Sequence, residues 1–400
     1  MPGASRRIAS CVAFTCIALL SSYGPGVRAA ELLIPPGYLP AADAKMDERG
    51  IWMEMDEAEQ ALKRSPLVVR DDTITDYVED VVCRVAGEYC PDVRVYVMRN
   101  PYFNASMAPN GTMLIHTGLL VRMTSSDQLA SIVGHELAHY TQKHSLRGLR
   151  AAKRRMTAGM LVSMGLAVGG VSSGGLPELI ALASVMGFTR AQEAEADLLG
   201  VGFMEGSGYD PHASYAVWLH LEQEEANASV KRPKGPVFLS SHPAPDARAA
   251  RLANAAEQLS EGLETRNDAS APPELLVTMV QRNYASLLDE QVRQGDFGRL
   301  STLLDRHEAI GIRSADVAFY RGESWRVRKG AGDHEHAIKA YETALSYDVI
   351  NPRAHRELGY LLYKYSNSDQ AAVHFRTYLE HEPDASDRAM IQFYIDGGWQ

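Results

Sequence analysis

The N-terminal part of the chain alternates between helical and strand-like hydrophobic patterns. Apolar positions spaced at three and four predict an amphipathic helix in DERGIWMEMDEAEQALKRS, within residues 31–70, and a second helix from about Asp72 to Glu88. The segment Val93–Asn100 (VRVYVMRN) alternates and is rich in β-branched residues, which predicts a strand. Asn110-Gly111 in NASMAPNGTMLIHTGLL predicts a hairpin turn between short strands.

The next helix follows the polar stretch MTSSDQ and is predicted from about Ser126 to Lys143. Helices and strands in this order predict an α+β unit. A basic run, Arg147–Arg155, then leads into two apolar runs broken by glycines, which together cover 156–188. We expect partly buried helices there rather than a membrane span, with peripheral contact to a membrane surface as the alternative.

The C-terminal half is predicted to be helical throughout. A helix covers Thr189–Pro211 and ends at a glycine turn. Residues 212–260 are also helical, with a break at KRPKGPVFLSSHPAPDAR, and a polar linker occupies 261–274. Beyond it, Ala337, Tyr341 and Ala344 recur 34 residues later as the set Ala371, Phe375 and Tyr378. That period is typical of tetratricopeptide repeats, so residues 275–400 are predicted to form an α-solenoid.

The extreme N-terminus has the composition of a secretory signal. Arg6 and Arg7 precede a short apolar run, and a small-residue pattern ends at Ala29, so residues 1–29 are predicted to be removed on export. Cys83 and Cys90 then remain, and in an oxidising compartment they either form a disulfide or stay as two small core residues. The formal charge of −10 argues against nucleic-acid binding.

The segment GHELAHYTQKH carries the clearest chemistry. His135 and His139 are four residues apart and share one face of the predicted helix, so both imidazoles can bind one metal ion. Zinc suits such ligands, and Glu136 between them is placed to take a proton from a zinc-bound water. His144, at the end of the motif, is expected to be a polar surface residue.

A third ligand is expected from a later helix. Glu193 in TRAQEAEADLLG is the best candidate, because Asp197 lies one turn further on the same face and can hold a ligating imidazole in place. Taken without the HExxH motif, both would be ordinary acidic residues on a solvated helix.

The motifs HELAHYTQKH, TRAQEAEADLLG, SSHPAPDAR and NASMAPNGTMLIHTGLL together resemble the M48 family of zinc metallopeptidases. The resemblance covers about residues 40–255. It implies a zincin-like metalloprotease domain, here 31–260, with one zinc per chain, His135, His139 and Glu193 as ligands, and Glu136 as the base. It also implies further site residues: Asp197 behind a ligand, His242 and Arg248 near the metal, and Asn104, Ala105 and Met107 along the substrate.

Family members with a signal peptide and C-terminal repeats are periplasmic, and this resemblance implies the same location here. The expected partners are unfolded or misassembled outer-membrane proteins, together with the β-barrel assembly machinery reached through the repeats. The expected activity is endopeptidase cleavage. The alternative is a chaperone or adaptor whose protease site is plugged by 156–188 and His242, and a mitochondrial M48 peptidase is a third reading that the signal and repeats weaken.

Overall fold

A computed structural model describes residues 32–40, 46–155, 188–230, 242, 248–260, 273–312 and 314–398. The predicted signal peptide, nearly all of 156–188, the loop around His242 and most of the linker lie outside the described residues. The described chain from Leu32 onward belongs to one compact unit.

The first half of this unit is α+β, as the sequence predicted. Its helices and strands are α1 (Met46–Leu62), α2 (Asp72–Ala86), a 3-10 turn (Gly87–Asp92), β1 (Arg94–Met98), β2 (Ala105–Met107), β3 (Thr112–His116), α3 (Thr117–Leu120), α4 (Ser126–Thr141), α5 (His144–Arg155), α6 (Arg190–Gly206), α7 (Ala213–Ala226) and α8 (Arg248–Ser260).

The three strands form one small sheet in the order β1-β3-β2. The predicted hairpin is present: β2 and β3 are antiparallel, and Gly111 in their turn has a φ of +88°. A side chain at Gly111 would also collide with the Asp92 carbonyl oxygen, so glycine is required twice over. The sequence did not predict that β1 pairs in parallel with β3.

Helix α4 runs through the core of this half. Ser125 caps its N-terminus by accepting a hydrogen bond from the Gln128 N–H group. Every residue of α4 except Asp127 is buried, including the polar residues of the HExxH motif. The helix ends two residues before the predicted Lys143, because Lys143 adopts a left-handed φ of +48° and starts the turn into α5.

The second half is helical. Its helices are α9 (Pro273–Gln294), α10 (Phe297–Ala309), α11 (Ser314–Arg328), α12 (Asp333–Tyr347), α13 (Pro352–Tyr365), α14 (Ser368–His381) and α15 (Arg388–Ile395). The residues that recur every 34 positions occupy matching buried places on α12 and α14.

Glycines explain how closely the helices of each pair approach. A Cβ atom at Gly322 would lie 2.5 Å from the Tyr341 ring, and one at Gly359 would lie 2.6 Å from the Phe375 ring. Each small residue therefore receives the aromatic of the following helix. The predicted helical C-terminal region is confirmed, and its assignment to tetratricopeptide repeats stays a prediction.

Two further sequence expectations can be compared with the fold. Cys83 and Cys90 form a disulfide between the end of α2 and the 3-10 turn, which resolves the alternative left open by the sequence. Within the described segments, no helix reaches the length and apolar character of a membrane span.

Candidate metal centre

The site is built where α4 and α6 cross at two glycines. A Cβ atom on Gly134 would lie 2.7 Å from the carbonyl oxygen of Gly200, and one on Gly200 would lie 2.9 Å from the backbone nitrogen of His135. Glu193, Asp197 and Gly200 follow each other at helical spacing and share the face of α6 that meets α4. The crossing therefore brings the histidines of one helix against the carboxylates of the other.

His135 and His139 point their Nε2 atoms at the same point, 3.0 Å apart. Both side chains are buried. Burial lowers the pKa of His135, with Arg248 adding to the effect, and burial also holds the pKa of His139 well below its usual value. Both imidazoles are thus neutral near pH 7, as metal ligands must be.

Glu193 supplies a carboxylate to the same point. Its Oε1 lies 3.4 Å from His139 Nε2, and its Oε2 lies 3.5 Å from His135 Nε2. Burial alone would raise the pKa of Glu193, but hydrogen bonds with His139 and His242 outweigh it and hold that pKa far below its usual range. An ionised carboxylate therefore faces two neutral imidazoles.

His242 completes a group of four donors. Its Nδ1 atom lies 3.2 Å from His135 Nε2 and 3.0 Å from Glu193 Oε1. The four residues offer ligand atoms that all lie within 4.8 Å of one another, and all four are buried. Zinc bonds of about 2.0–2.1 Å in a tetrahedron separate the ligand atoms by about 3.3 Å, so this donor set fits zinc in both spacing and chemistry.

Arg248 and Asp197 support these donors from behind. Asp197 Oδ1 lies 3.1 Å from His135 Nδ1, on the opposite side of the ring from the donor cluster. Arg248 donates to Asp197 and, at 2.9 Å, to Glu193 Oε2. Its guanidinium lies over the Trp218 ring at 3.8 Å, so the buried charge is both paired and stacked. The sequence prediction placed Asp197 behind a ligand and Arg248 near the metal; here Asp197 contacts His135 and Arg248 contacts both carboxylates, and their roles stay predictions.

Glu136 lies beside the donor cluster and not within it. Its Oε1 is buried without a hydrogen-bond partner among the described residues, 3.6 Å from His242 Nε2. Burial raises the pKa of Glu136 to about 7, and Glu193 adds to this while His242 and Arg248 oppose it. The Met107 backbone also hydrogen-bonds the carboxylate. A carboxylate of this kind can accept a proton near neutral pH.

The geometry of the donor cluster agrees with the protein family that this part of the chain resembles. Residues 69–256 match the model of peptidase family M48. Residues 69–256 are thus similar to peptidase family M48, and we call them the M48 domain. The M48 domain thus contains every donor of the cluster, and also Glu136, Asp197 and Arg248.

Individual relatives carry related names. The chain is 28% identical over 265 residues to the β-barrel assembly-enhancing protease of Yersinia pestis, which covers 61% of this chain and 53% of the relative. It is 24% identical over 249 residues to a putative β-barrel assembly-enhancing protease of Vibrio cholerae, covering 60% and 49%. It is 30% identical over 209 residues to the mitochondrial metalloendopeptidase OMA1 of Bos taurus, covering 48% and 38%. The chain spans about half the length of the first of these relatives.

The edge of the sheet faces the carboxylate of Glu136. Asn104 and Ala108 make backbone hydrogen bonds to β3, so Ala105 and Met107 alternate with them and direct their backbone groups to the other side of β2, where no further strand pairs among the described residues. The Oδ1 of Asn104 has no hydrogen-bond partner within the described part of the chain. All three predicted substrate residues therefore lie on or beside β2, which is an edge strand of the sheet in the described part of the chain, and their role stays a prediction.

His144 is not the surface residue that the sequence suggested. Its side chain is fully buried, because the turn at Lys143 folds the start of α5 back under α4. His144 Nδ1 lies 2.9 Å from His139 Nδ1, and its Nε2 lies 3.1 Å from Glu195 Oε2. Spacing alone could not reveal this contact, since a continuous helix would carry His144 away from His139.

Other features of the M48 domain also escaped the sequence. Phe188 stacks on the His139 ring with centroids 3.8 Å apart, and Arg251 donates to Asp197 Oδ2 at 2.7 Å. Gly134 and Gly200 sit at helix-face positions beside the ligands, and that placement was a readable signal for a close crossing.

Proposed function

We propose that this protein is a zinc-dependent endopeptidase. The observation that carries the proposal is the convergence of two imidazoles and a carboxylate from α4 and α6, with Glu136 beside them and a further histidine, His242, facing the same point. When bound there, zinc supplies a Lewis acid that polarises a scissile carbonyl and makes a bound water more acidic. The donor set itself is compatible with one zinc per chain.

The chain's own residues provide the remaining chemistry. Glu136, which lies beside the donors and is not itself one of them, accepts a proton from the attacking water and returns it to the leaving amine. An extended substrate adds to β2 on the side away from β3, toward which the backbone groups of Ala105 and Met107 are directed and where no described strand pairs. The side-chain oxygen of Asn104, which has no hydrogen-bond partner among the described residues, offers an acceptor at the same edge.

Two substitutions test the assignment on the full mature chain. Glu136→Gln should keep zinc and lose cleavage of casein, because the ligands remain while the proton acceptor is gone. Glu193→Ala should lose zinc, because it removes a donor that touches both HExxH histidines. Zinc content by atomic absorption separates the two effects, and equal zinc in both variants would rule out Glu193 as a ligand.

We further propose that the protein acts in the periplasm on outer-membrane proteins that are misfolded or stalled. The predicted signal segment and the disulfide Cys83–Cys90 support export. Relatives named β-barrel assembly-enhancing protease support the role. Fractionation of cells that express the full chain tests the location, and a cytoplasmic, reduced protein would contradict it.

The C-terminal helices offer a surface for such partners. We define the inner groove as two adjoining cavities of about 530 and 350 Å³ that share Arg326, Arg356 and Glu357. Its basic residues outnumber its acidic ones, on a chain whose net charge is −10. The basic residues are Arg293, Arg326, Lys329, Arg353, Arg356 and Lys364, and the acidic ones are Asp289, Glu323, Asp333 and Glu357. Exposed Tyr365 and Met390 add apolar contacts.

Charge reversal tests the inner groove. Lys329→Glu combined with Lys364→Glu should reduce crosslinking to outer-membrane proteins or to the assembly machinery in envelope extracts. Lys339→Glu, on the exposed surface of α12 and outside the groove, is the matched control. Equal crosslinking by both variants would remove the groove from partner binding.

A second candidate function is that of a chaperone or adaptor with a rarely active site. One observation favours it: His242 stands among the ligand atoms, in the position that an open coordination site would need. The two functions are distinguished by whether a variant rescues the outer-membrane assembly defects of cells that lack the protein. Rescue by Glu136→Gln would favour the chaperone, whereas failure of that variant to rescue would favour the protease.

A further inference from the structure

The second HExxH histidine has an unusual neighbour. His139 directs Nε2 toward the donor cluster and Nδ1 toward His144 Nδ1, 2.9 Å away. His144 in turn directs Nε2 toward Glu195 Oε2, 3.1 Å away. His144 is fully buried, while Glu195 is partly exposed beside Arg147. Arg147, Glu195, His144 and His139 thus form a line from the protein surface to the metal centre.

Hydrogen-bond direction along this line is fixed by elementary chemistry. A neutral imidazole has one N–H group and one lone pair. If the lone pair of His139 Nε2 binds metal, its proton must sit on Nδ1, where it can only donate. His144 must then accept at Nδ1, which leaves its own proton on Nε2, facing a carboxylate that can only accept. Every group in the line has a matching partner.

We propose that His144 and Glu195 are positioning residues for the metal ligand His139. They fix its tautomer and ring orientation, as Asp197 does for His135 on the other side of the site. The inference rests on the metal site of the proposed function. It assigns a role to a buried histidine that neither binds the metal point nor reaches the substrate edge.

The fold builds this line from three helices. The left-handed Lys143 turns the chain so that α5 begins with His144 beneath α4. Glu195 lies on α6 two residues after the ligand Glu193, and Gln192 of α6 donates to the His144 carbonyl oxygen at 3.3 Å. Helix α6 therefore carries the ligand Glu193 and also holds His144, which supports the ligand His139.

Two replacements of nearly equal size separate packing from hydrogen bonding. In His144→Asn, the amide oxygen takes the place of Nδ1 and still accepts from His139. In His144→Leu, that acceptor is lost. We expect His144→Leu to weaken zinc affinity about 10- to 100-fold and His144→Asn only a few-fold, measured by competition with a chromogenic chelator. Thermal unfolding of the metal-free proteins verifies that both variants fold.

A spectroscopic measurement and a surface variant complete the test. With Co²⁺ in place of zinc, His144→Leu should alter the visible absorption bands and His144→Asn should preserve them. If His144→Leu does not fold, Glu195→Ala tests the same line from its exposed end and should weaken zinc affinity several-fold. A wild-type chain that does not bind zinc would overturn the metal site itself. If wild type binds zinc and the variants His144→Leu, His144→Asn and Glu195→Ala all bind it equally tightly, only the positioning role would be overturned.

Discussion

At the scale of single residues, the centre depends on how buried charges are compensated. Glu193 and Asp197 are both ionised and buried, which is costly without partners. Arg248 pairs with both and is itself only 2% exposed. Among the described carboxylates, Arg251 pairs with Asp197 alone, from a partly exposed position. The two arginines are therefore unequal although they lie one turn apart on α8.

Replacing these arginines by methionine should separate their contributions. Arg248→Met leaves two buried carboxylates without their shared partner, and we expect a loss of about 3–5 kcal/mol in the unfolding free energy of the metal-free protein. Arg251→Met should lower the unfolding free energy by about 1 kcal/mol or less, because Asp197 still pairs with Arg248 and because Arg251 is partly open to solvent. Urea unfolding at pH 7 measures both, and equal losses would contradict this division.

His242 should regulate cleavage without holding the metal in place. His242→Ala leaves three protein ligands, so we expect unchanged zinc content. Because His242 Nδ1 lies among the other three donors and would hold zinc as a fourth ligand, its removal should raise the basal rates of casein cleavage and of self-cleavage. A lower rate with zinc retained would instead assign His242 to stabilising the transition state, and an unchanged rate would remove it from the site.

At the scale of elements, two glycines decide whether the ligands meet. Helices α4 and α6 touch through backbone atoms at Gly134 and Gly200, and this contact sets the distance from the histidines to Glu193. Larger residues there would force the helix axes apart. The metal centre is therefore as sensitive to helix packing as to ligand identity.

Substitution on α6 tests this dependence with a control on the same helix. Gly200→Ala places a Cβ atom 2.9 Å from the His135 backbone nitrogen, so we expect about 1–3 kcal/mol of destabilisation and a clear loss of zinc affinity. Gly202→Ala meets nothing within 4 Å and should be neutral or slightly stabilising. Calorimetry and chelator competition report the two quantities, and equal zinc affinities would refute the packing argument.

Sequence patterns predicted the elements better than their contacts. The HExxH spacing, the Asn110-Gly111 hairpin and the 34-residue period each depend on local chemistry, which a sequence displays directly. The parallel pairing of β1 with β3 and the burial of His144 depend on where distant segments meet. The surface position predicted for His144 is wrong because Lys143, just after α4, adopts a left-handed conformation, and a lysine in the sequence gives no hint of it.

At the scale of the whole molecule, the helical region is fixed to the M48 domain by a buried polar interface. Arg122 donates to Glu224 at 2.7 Å and to Gln291 of α9 at 3.1 Å. Arg306 of α10 donates to the other oxygen of Glu224 at 2.9 Å. A fragment that begins near residue 270 would expose this interface, so partner binding is best measured on the full chain.

His307 gives this interface a dependence on pH. It donates from Nε2 to the Val121 carbonyl oxygen at 2.7 Å and accepts at Nδ1 from the Tyr284 hydroxyl at 2.9 Å. Burial lowers its pKa to about 4, with nearby Arg306 contributing and Glu224 opposing. The unfolded chain therefore binds a proton at His307 more readily than the folded chain does, and the associated stability is complete above about pH 6.5 and falls as the pH drops toward 4.

Between pH 7 and pH 5, His307 should account for about 2 kcal/mol of lost unfolding free energy. His307→Gln can keep the donor to Val121 but does not titrate, so it should be less stable than wild type at pH 7 and lose less on acidification. His116 and His220, whose pKa values burial also lowers to about 4, are unchanged in both proteins and cancel from the difference. If the M48 domain and the helical region unfold together, as their shared buried interface requires, both proteins should show one urea transition at each pH. Parallel pH profiles for the two proteins would exclude His307 as the titrating group, and two separate transitions would show that the interface does not couple the halves.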